Sequence, residues 1–299
     1  MRLFLAGFYE QTYKKCFSPE VMKASCILGS YFYLNNRKFL DKFDPTAIKD
    51  FMFDSGAFTY IHASGNNVNW KEYARRYAHF VKDNNIKNYI ELDIDIHIGY
   101  ERVVQLRNMI EDIVGRPCIP VYHPNRTEEQ FREDCKGRPY VSFGSMKKKS
   151  DDGQGGGRDH GDDLFYYTLM KKIVDIAHEE GSKIHLLGIS DPSHYLGRNI
   201  GGDSADSTTW IRSSNFGYRC IFNEQTNEME KVKVPRNQML LPSWKDKALS
   251  FALWRQFATH CATKVPTIWP EDANGGYPTC DEDTMTVAEL TERYRNADK

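Results

Sequence analysis

The chain has 299 residues, with 40 Lys and Arg against 41 Asp and Glu, a net charge of −1, 40% apolar and 27% charged residues. That profile suits a globular protein long enough for one sizeable core, and near-neutral charge removes the basic signature of many nucleic-acid binders without excluding a local basic surface. No stretch approaches the roughly 18 uninterrupted apolar residues of a membrane span, and MRLFLAGFYEQ turns polar too soon for a signal peptide, so the expectation is a cytoplasmic protein without a membrane partner.

Short apolar or β-branched runs alternate with segments of helical periodicity, the pattern of an α/β fold built on a parallel sheet. The predicted strands are RLFLAGF (2–8), FMFDSGAF (51–58), NYIELDIDI (88–96), CIPVYHP (118–124), YVSFGSM (140–146), KIHLLGIS (183–190) and SADSTTW (204–210). Between the first two, Ser18-Pro19-Glu20 offers a cap and a first-turn proline for a helix running towards Tyr33. Trp70, Tyr73, Tyr77, Phe80 and Val81 give 69–84 an apolar helical face. The same spacing predicts helices over 100–114, over 127–135 with Thr127 as cap, and over 163–180. The Gly- and Asp-rich run 147–162 reads as a flexible loop, 218–234 as a hairpin, 246–263 as a helix packing on the body, and 284–296 as a terminal helix. The expected organisation is a body over 1–245 and a helical extension over 246–299. Seven cysteines without a CxxC pair read as reduced, mostly buried thiols.

Acidic residues recur at predicted strand ends: Asp54, Asp93 and Asp95, and Asp203 and Asp206. Strand C-termini form the ligand face of parallel α/β folds, so these carboxylates are expected to converge. With His97, His123 and His185 they could hold a divalent metal for hydrolysis; without a metal they could divide nucleophile and acid/base roles. The metal set has no HxH or HExxH spacing, and GQGGGRDHG lacks the lysine and helix start of a phosphate loop.

FDSGAFT (53–59), ELDID (91–95), YVSFGSM, HLLGISDPSHYL (185–196) and GGDSADS (201–207), in this order, resemble the tRNA-guanine transglycosylase superfamily, above all its phage-type, DpdA-like DNA branch. The likeness covers about Arg2 to Trp210. It implies a (β/α)8 TIM-like barrel with a short helical extension, which the element pattern alone does not separate from an open doubly wound sheet. It also implies exchange of guanine in DNA for a free 7-deazaguanine such as preQ0, a modification tied to restriction evasion, in the host cytoplasm if phage-encoded.

Carried across, Asp206 falls on the family's nucleophile, Asp54 on its general acid/base and Asp93 on its base-recognition carboxylate. Gly144, Leu187 and Gly188 fall where the family brings backbone and a small apolar contact to the base, and Tyr122 and His123 where it has a further base contact of different residue type. The chain departs from the tRNA-acting members at Ala57, Phe58 and Thr59 and at Ser207 to Trp210. Their closely spaced zinc cysteines are also missing, so the zinc subdomain is expected to be absent, with no metal and no cofactor. A flipped-out or single-stranded guanine is the implied target. Arg37-Lys38, Lys147-Lys148-Lys149, Arg158, Arg198 and Arg212 are the candidate backbone contacts, and Trp210, Tyr195 and Phe58 the candidate stacking residues. A tRNA substrate, a non-catalytic nucleic-acid-binding subunit, a metal-dependent hydrolase and a homodimeric state stay open.

Overall fold

The computed structural model describes residues 1–7, 18–35, 48–64, 68–144, 164–189, 200–264, 269, 271–272 and 276–297. The predicted loop 147–162, Arg37, Lys38, Tyr195 and Arg198 lie outside the described residues.

Eight strands make one parallel sheet: β1 (Arg2–Ala6), β2 (Cys26–Ser30), β3 (Asp50–Asp54), β4 (Asn88–Tyr89), β5 (Val121–Tyr122), β6 (Tyr140–Phe143), β7 (Lys183–Leu186) and β8 (Ser204–Ser207). Their order, β4-β3-β2-β1-β8-β7-β6-β5, keeps sequence neighbours adjacent and pairs β1 with β8. The sheet is thereby curled, in the manner of a TIM-like barrel. Its two end strands share no continuous ladder. They meet at one parallel bridge, Ile90 to Ile119, where Ile119 N–H donates to Tyr89 O at 2.8 Å and Glu91 N–H to Ile119 O at 3.0 Å.

Helices cover the outer face: α1 (Pro19–Lys23), α2 (Tyr31–Leu34), α3 (Ala57–Ser64), α4 (Trp70–Asp83), α5 (Asp95–Ile98), α6 (Tyr100–Val114), α7 (Glu128–Cys135), α8 (Leu164–Glu179) and α9 (Thr209–Asn215). Strand alternation divides the core in two. Leu3, Leu5, Ile27, Phe53, Val141 and Phe143 meet the helices, whereas Phe4, Cys26, Leu28, Met52, Val121 and Tyr140 fill the interior. With both strand faces buried, β1, β2 and β3 read as nearly continuous apolar runs.

That property explains the main correction. The helix predicted from Ser18 towards Tyr33 breaks after Lys23, and CILGS becomes β2, paired in parallel with β1 and β3. Buried on both faces, this strand shows no alternation, and its ladder bonds come from partners distant in sequence. Other predicted strands are cut short where a helix begins. The ladder of 51–58 ends at Asp54, and its Ala57 and Phe58 open α3. The ladder of 88–96 ends at Tyr89, with Asp95–Ile98 a helical turn, and that of 204–210 ends at Ser207, ahead of α9.

The hairpin forms as β9 (Tyr218–Asn223) and β10 (Glu228–Lys233), followed by α10 (Ser243–Lys264) and α11 (Val287–Asn296). Past α10 the chain returns to the N-terminal end of the sheet, where Ala262, Trp269 and Tyr277 join the interior core. There Arg2 Nε donates to Asp272 Oδ2 at 2.7 Å and Nη1 to Asp50 at 2.8 Å, while the guanidinium sits 3.8 Å from the Trp269 ring centre. Lys183 Nζ lies 3.5 Å from the same ring centre. This end is packed with side chains, and the predicted chemistry lies at the other. No described helix is long and apolar enough to cross a membrane.

Candidate active site

The ELDID segment follows β4, and its first acid points into the protein. Glu91 is fully buried, accepting from Val121 N–H at 2.7 Å, Arg107 Nε at 2.9 Å and Arg126 Nη2 at 2.9 Å. Arg126 also donates Nε to Asp95 at 2.8 Å and Nη1 to Asp134 at 2.9 Å, and Arg107 reaches Asp134 at 2.5 Å. Sequence reasoning missed this network, although one signal was available: Arg107 sits on the otherwise apolar face of α6, beside Val103, Leu106 and Ile110.

His123 connects the network to the strand ends. Its Nδ1 lies 2.5 Å from Asp95 Oδ1 and its Nε2 2.8 Å from Asp93 Oδ1. Burial works to lower the imidazole's pKa, but the two carboxylates outweigh it and push it up to about 10. Burial would likewise raise Asp95, yet His123 and Arg126 hold it well below the usual carboxylate range. Four carboxylates (Glu91, Asp93, Asp95, Asp134) thus face three cations (Arg107, Arg126, His123), and Asp93, at the partly exposed end, is the least enclosed of the four. Gly144, at the end of β6, makes room for the ring: a Cβ there would fall 2.3 Å from His123 Nε2.

Asp54 ends β3. Burial first, then the charge of Asp93, pushes its carboxyl up to about 7; the Gly56 N–H and the Ser30 hydroxyl favour the anion, and Asp206 adds a smaller push upward. Gly56 is required here. Its φ is +67°, and a Cβ would meet Phe32 Cβ at 2.5 Å. Asp206, buried near the end of β8, accepts the Gly188 N–H on Oδ1 at 2.6 Å, and His185 Nε2 faces that oxygen at 3.4 Å.

Asp93 and Asp206 therefore both bear on Asp54 electrostatically at the strand C-termini, with His123, Gly144 and Gly188 around them. Leu187 is half-buried against the interior core. Tyr122 is on the other side of its strand, in the helix-facing core against Phe131 and Phe143, and is not brought to the cluster. Asp203 also turns away, accepting the Ile184 N–H and pairing with His178. Trp210 is fully buried and donates Nε1–H to Ala6 O at 2.6 Å, so it packs rather than stacks on a ligand. Phe58 lies edge-on to His62, with exposed His97 beyond. Arg212 is exposed on α9.

Asp93, Asp95 and His123 are the one group among the described residues with three ligand atoms close enough to hold a metal ion. An imidazole must be neutral to ligate, however, and both His123 nitrogens already face carboxylates that favour its protonated form. The histidine and cysteines late in the chain, His260, Cys261 and Cys280, form no such group among the described residues. Cys26, Cys118, Cys135, Cys220 and Cys261 are buried free thiols and Cys280 is partly buried.

No protein-family model matches the chain, and no curated protein matches it.

Proposed function

We propose that the protein is a DNA guanine transglycosylase on a (β/α)8 barrel, exchanging guanine in DNA for a 7-deazaguanine through a covalent Asp206 intermediate. The observation that carries this reading is the pairing of two unlike carboxyls at the strand ends. Asp54 is raised to about 7, so it holds a proton it can give up near neutrality, while Asp206 is held by the Gly188 N–H.

In the exchange, an Asp206 oxygen attacks C1′, the C1′–N9 bond breaks, and the departing guanine takes the Asp54 proton. The incoming 7-deazaguanine then gives its N9 proton to Asp54 as N9 attacks C1′ and releases Asp206. Every proton and bond is returned and no electrons are exchanged, so no redox cofactor is called for. Asp93 has one oxygen on His123 and the other available to accept the N1–H and 2-amino donors that guanine and 7-deazaguanines share. His123, at the position of a family base contact, reaches the base through Asp93. Gly144 and Gly188 let backbone and ring approach closely, and Leu187 supplies an apolar edge. Arg212 is the described candidate for a phosphate contact.

The test is release of labelled guanine from DNA in the presence of preQ0, with tRNA run in parallel and Asp206→Ala as control. Release from DNA that disappears in the variant supports the reading. Release from tRNA alone moves the activity to tRNA, and binding of either polynucleotide without release favours a non-catalytic subunit.

A further inference from the structure

One buried polar chain lies outside the roles assigned above. His185, in the middle of β7, is wholly buried, and its ring is flanked edge-on by Phe4 at 5.7 Å and Tyr140 at 6.4 Å between ring centres. Its Nδ1 lies 2.6 Å from Ser204 Oγ, and Ser204 Oγ also bonds the buried Tyr140 hydroxyl. Its Nε2 makes no conventional hydrogen bond. That nitrogen faces Asp206 Oδ1 at 3.4 Å, slightly beyond an ordinary N–H···O bond.

For a singly protonated imidazole beside an Asp206 carboxylate, only one arrangement of protons suits all four groups. A serine hydroxyl has one proton to donate and lone pairs to accept. If Ser204 donated to Tyr140, His185 would carry its proton on Nδ1 and turn the Nε2 lone pair towards the Asp206 carboxylate, which is repulsive. If Tyr140 donates to Ser204 and Ser204 donates to Nδ1, the proton sits on Nε2, the ring nitrogen on the Asp206 side. We propose that His185 is a positioning residue for Asp206, its tautomer fixed by the buried Tyr140–Ser204 relay so that an Nε2–H is aimed at Oδ1. Because the Gly188 N–H already occupies Oδ1, this second donor holds that oxygen from two sides and leaves Oδ2 as the attacking atom. The 3.4 Å separation shortens as Asp206 settles against C1′, as hydrogen bonds at catalytic groups commonly tighten in the reacting complex.

The inference rests on Asp206 being the nucleophile, so its test has one arm that does not need turnover. In protein labelled with ¹⁵N-histidine, long-range ¹H–¹⁵N spectra should show His185 with its proton on Nε2 and Nδ1 as acceptor, and Ser204→Ala should abolish that signature. A proton on Nδ1, or on both nitrogens, overturns the proposal. In the guanine-release assay, His185→Leu should lower kcat roughly 100-fold with KM nearly unchanged, the size of effect expected for one lost oriented donor. His185→Gln, which restores an N–H at the end of the side chain, should recover kcat to within about tenfold of the wild type. Wild-type kcat in His185→Leu, or an effect confined to KM, overturns the proposal. Should the leucine variant fail to fold, Ser204→Ala reads the same relay with a smaller change and is expected to lower kcat without moving KM. If the wild type releases no guanine, the transglycosylase reading falls, and the nitrogen spectrum still decides where the His185 proton lies.

Discussion

Replacing Asp54 by asparagine should stabilise the protein in alkaline but not in acidic solution. A carboxyl whose pKa rises from 3.8 to about 7 on folding binds a proton more tightly in the native chain than in the unfolded one. The associated penalty is absent below about pH 4, grows between the two values and is complete above about pH 7. At about 1.4 kcal/mol per pH unit the ceiling is about 4 kcal/mol. Asp54 is only half-buried, so solvent screening reduces the expected gain to about 1–2 kcal/mol. Urea unfolding of wild type and Asp54→Asn at pH 4 and pH 8 measures it. The stability difference between the two proteins should shift in the variant's favour by about 1–2 kcal/mol from the lower to the higher pH. A difference that does not change with pH would refute the claim that Asp54 carries a raised pKa, and with it the acid/base role.

Two further substitutions probe the support beneath the site. Arg126→Met leaves Glu91, Asp95 and Asp134 short of a cation they all bond, and should cost about 3–5 kcal/mol in chemical denaturation, the usual penalty for breaking a buried ion pair; a loss below about 1 kcal/mol would show that the network relaxes around the gap. Gly144→Ala places a methyl 2.3 Å from His123 Nε2 and must displace the ring, so guanine release should fall at least tenfold while the overall fold, read by circular dichroism, persists; wild-type release would detach His123 from the function.

Much of this architecture can be read in the chain because its signals are local. Tyr100–Val114 is a helix over the residues its apolar spacing marks, Thr127 caps α7, and the hairpin falls within 218–234. Asp54 stands out as a polar residue closing the apolar run of β3, and Asp206 by its place in GGDSADS, one of the segments that carry the resemblance. What escaped depends on distant partners. CILGS is a strand only because β1 and β3 flank it, and Arg107, Arg126 and Asp134 become a site support only when Glu91 lies between the two arginines. The case of Tyr122 and His123 is different, since strand alternation alone sends adjacent residues to opposite faces. Val121 and His123 share the interior side, and Tyr122 belongs to the helix layer.

The covalent intermediate is the most direct test of the central claim. A DNA oligonucleotide incubated with the protein and quenched in denaturant before the second base is added should leave a fraction of the protein joined to DNA lacking one guanine. Peptide mass spectrometry should place the sugar on Asp206, and Asp206→Asn, which retains the shape of the side chain but not its nucleophilicity, should form no adduct. An adduct on another residue, or guanine exchange at the wild-type rate in Asp206→Asn, would contradict the assignment of Asp206 as the nucleophile.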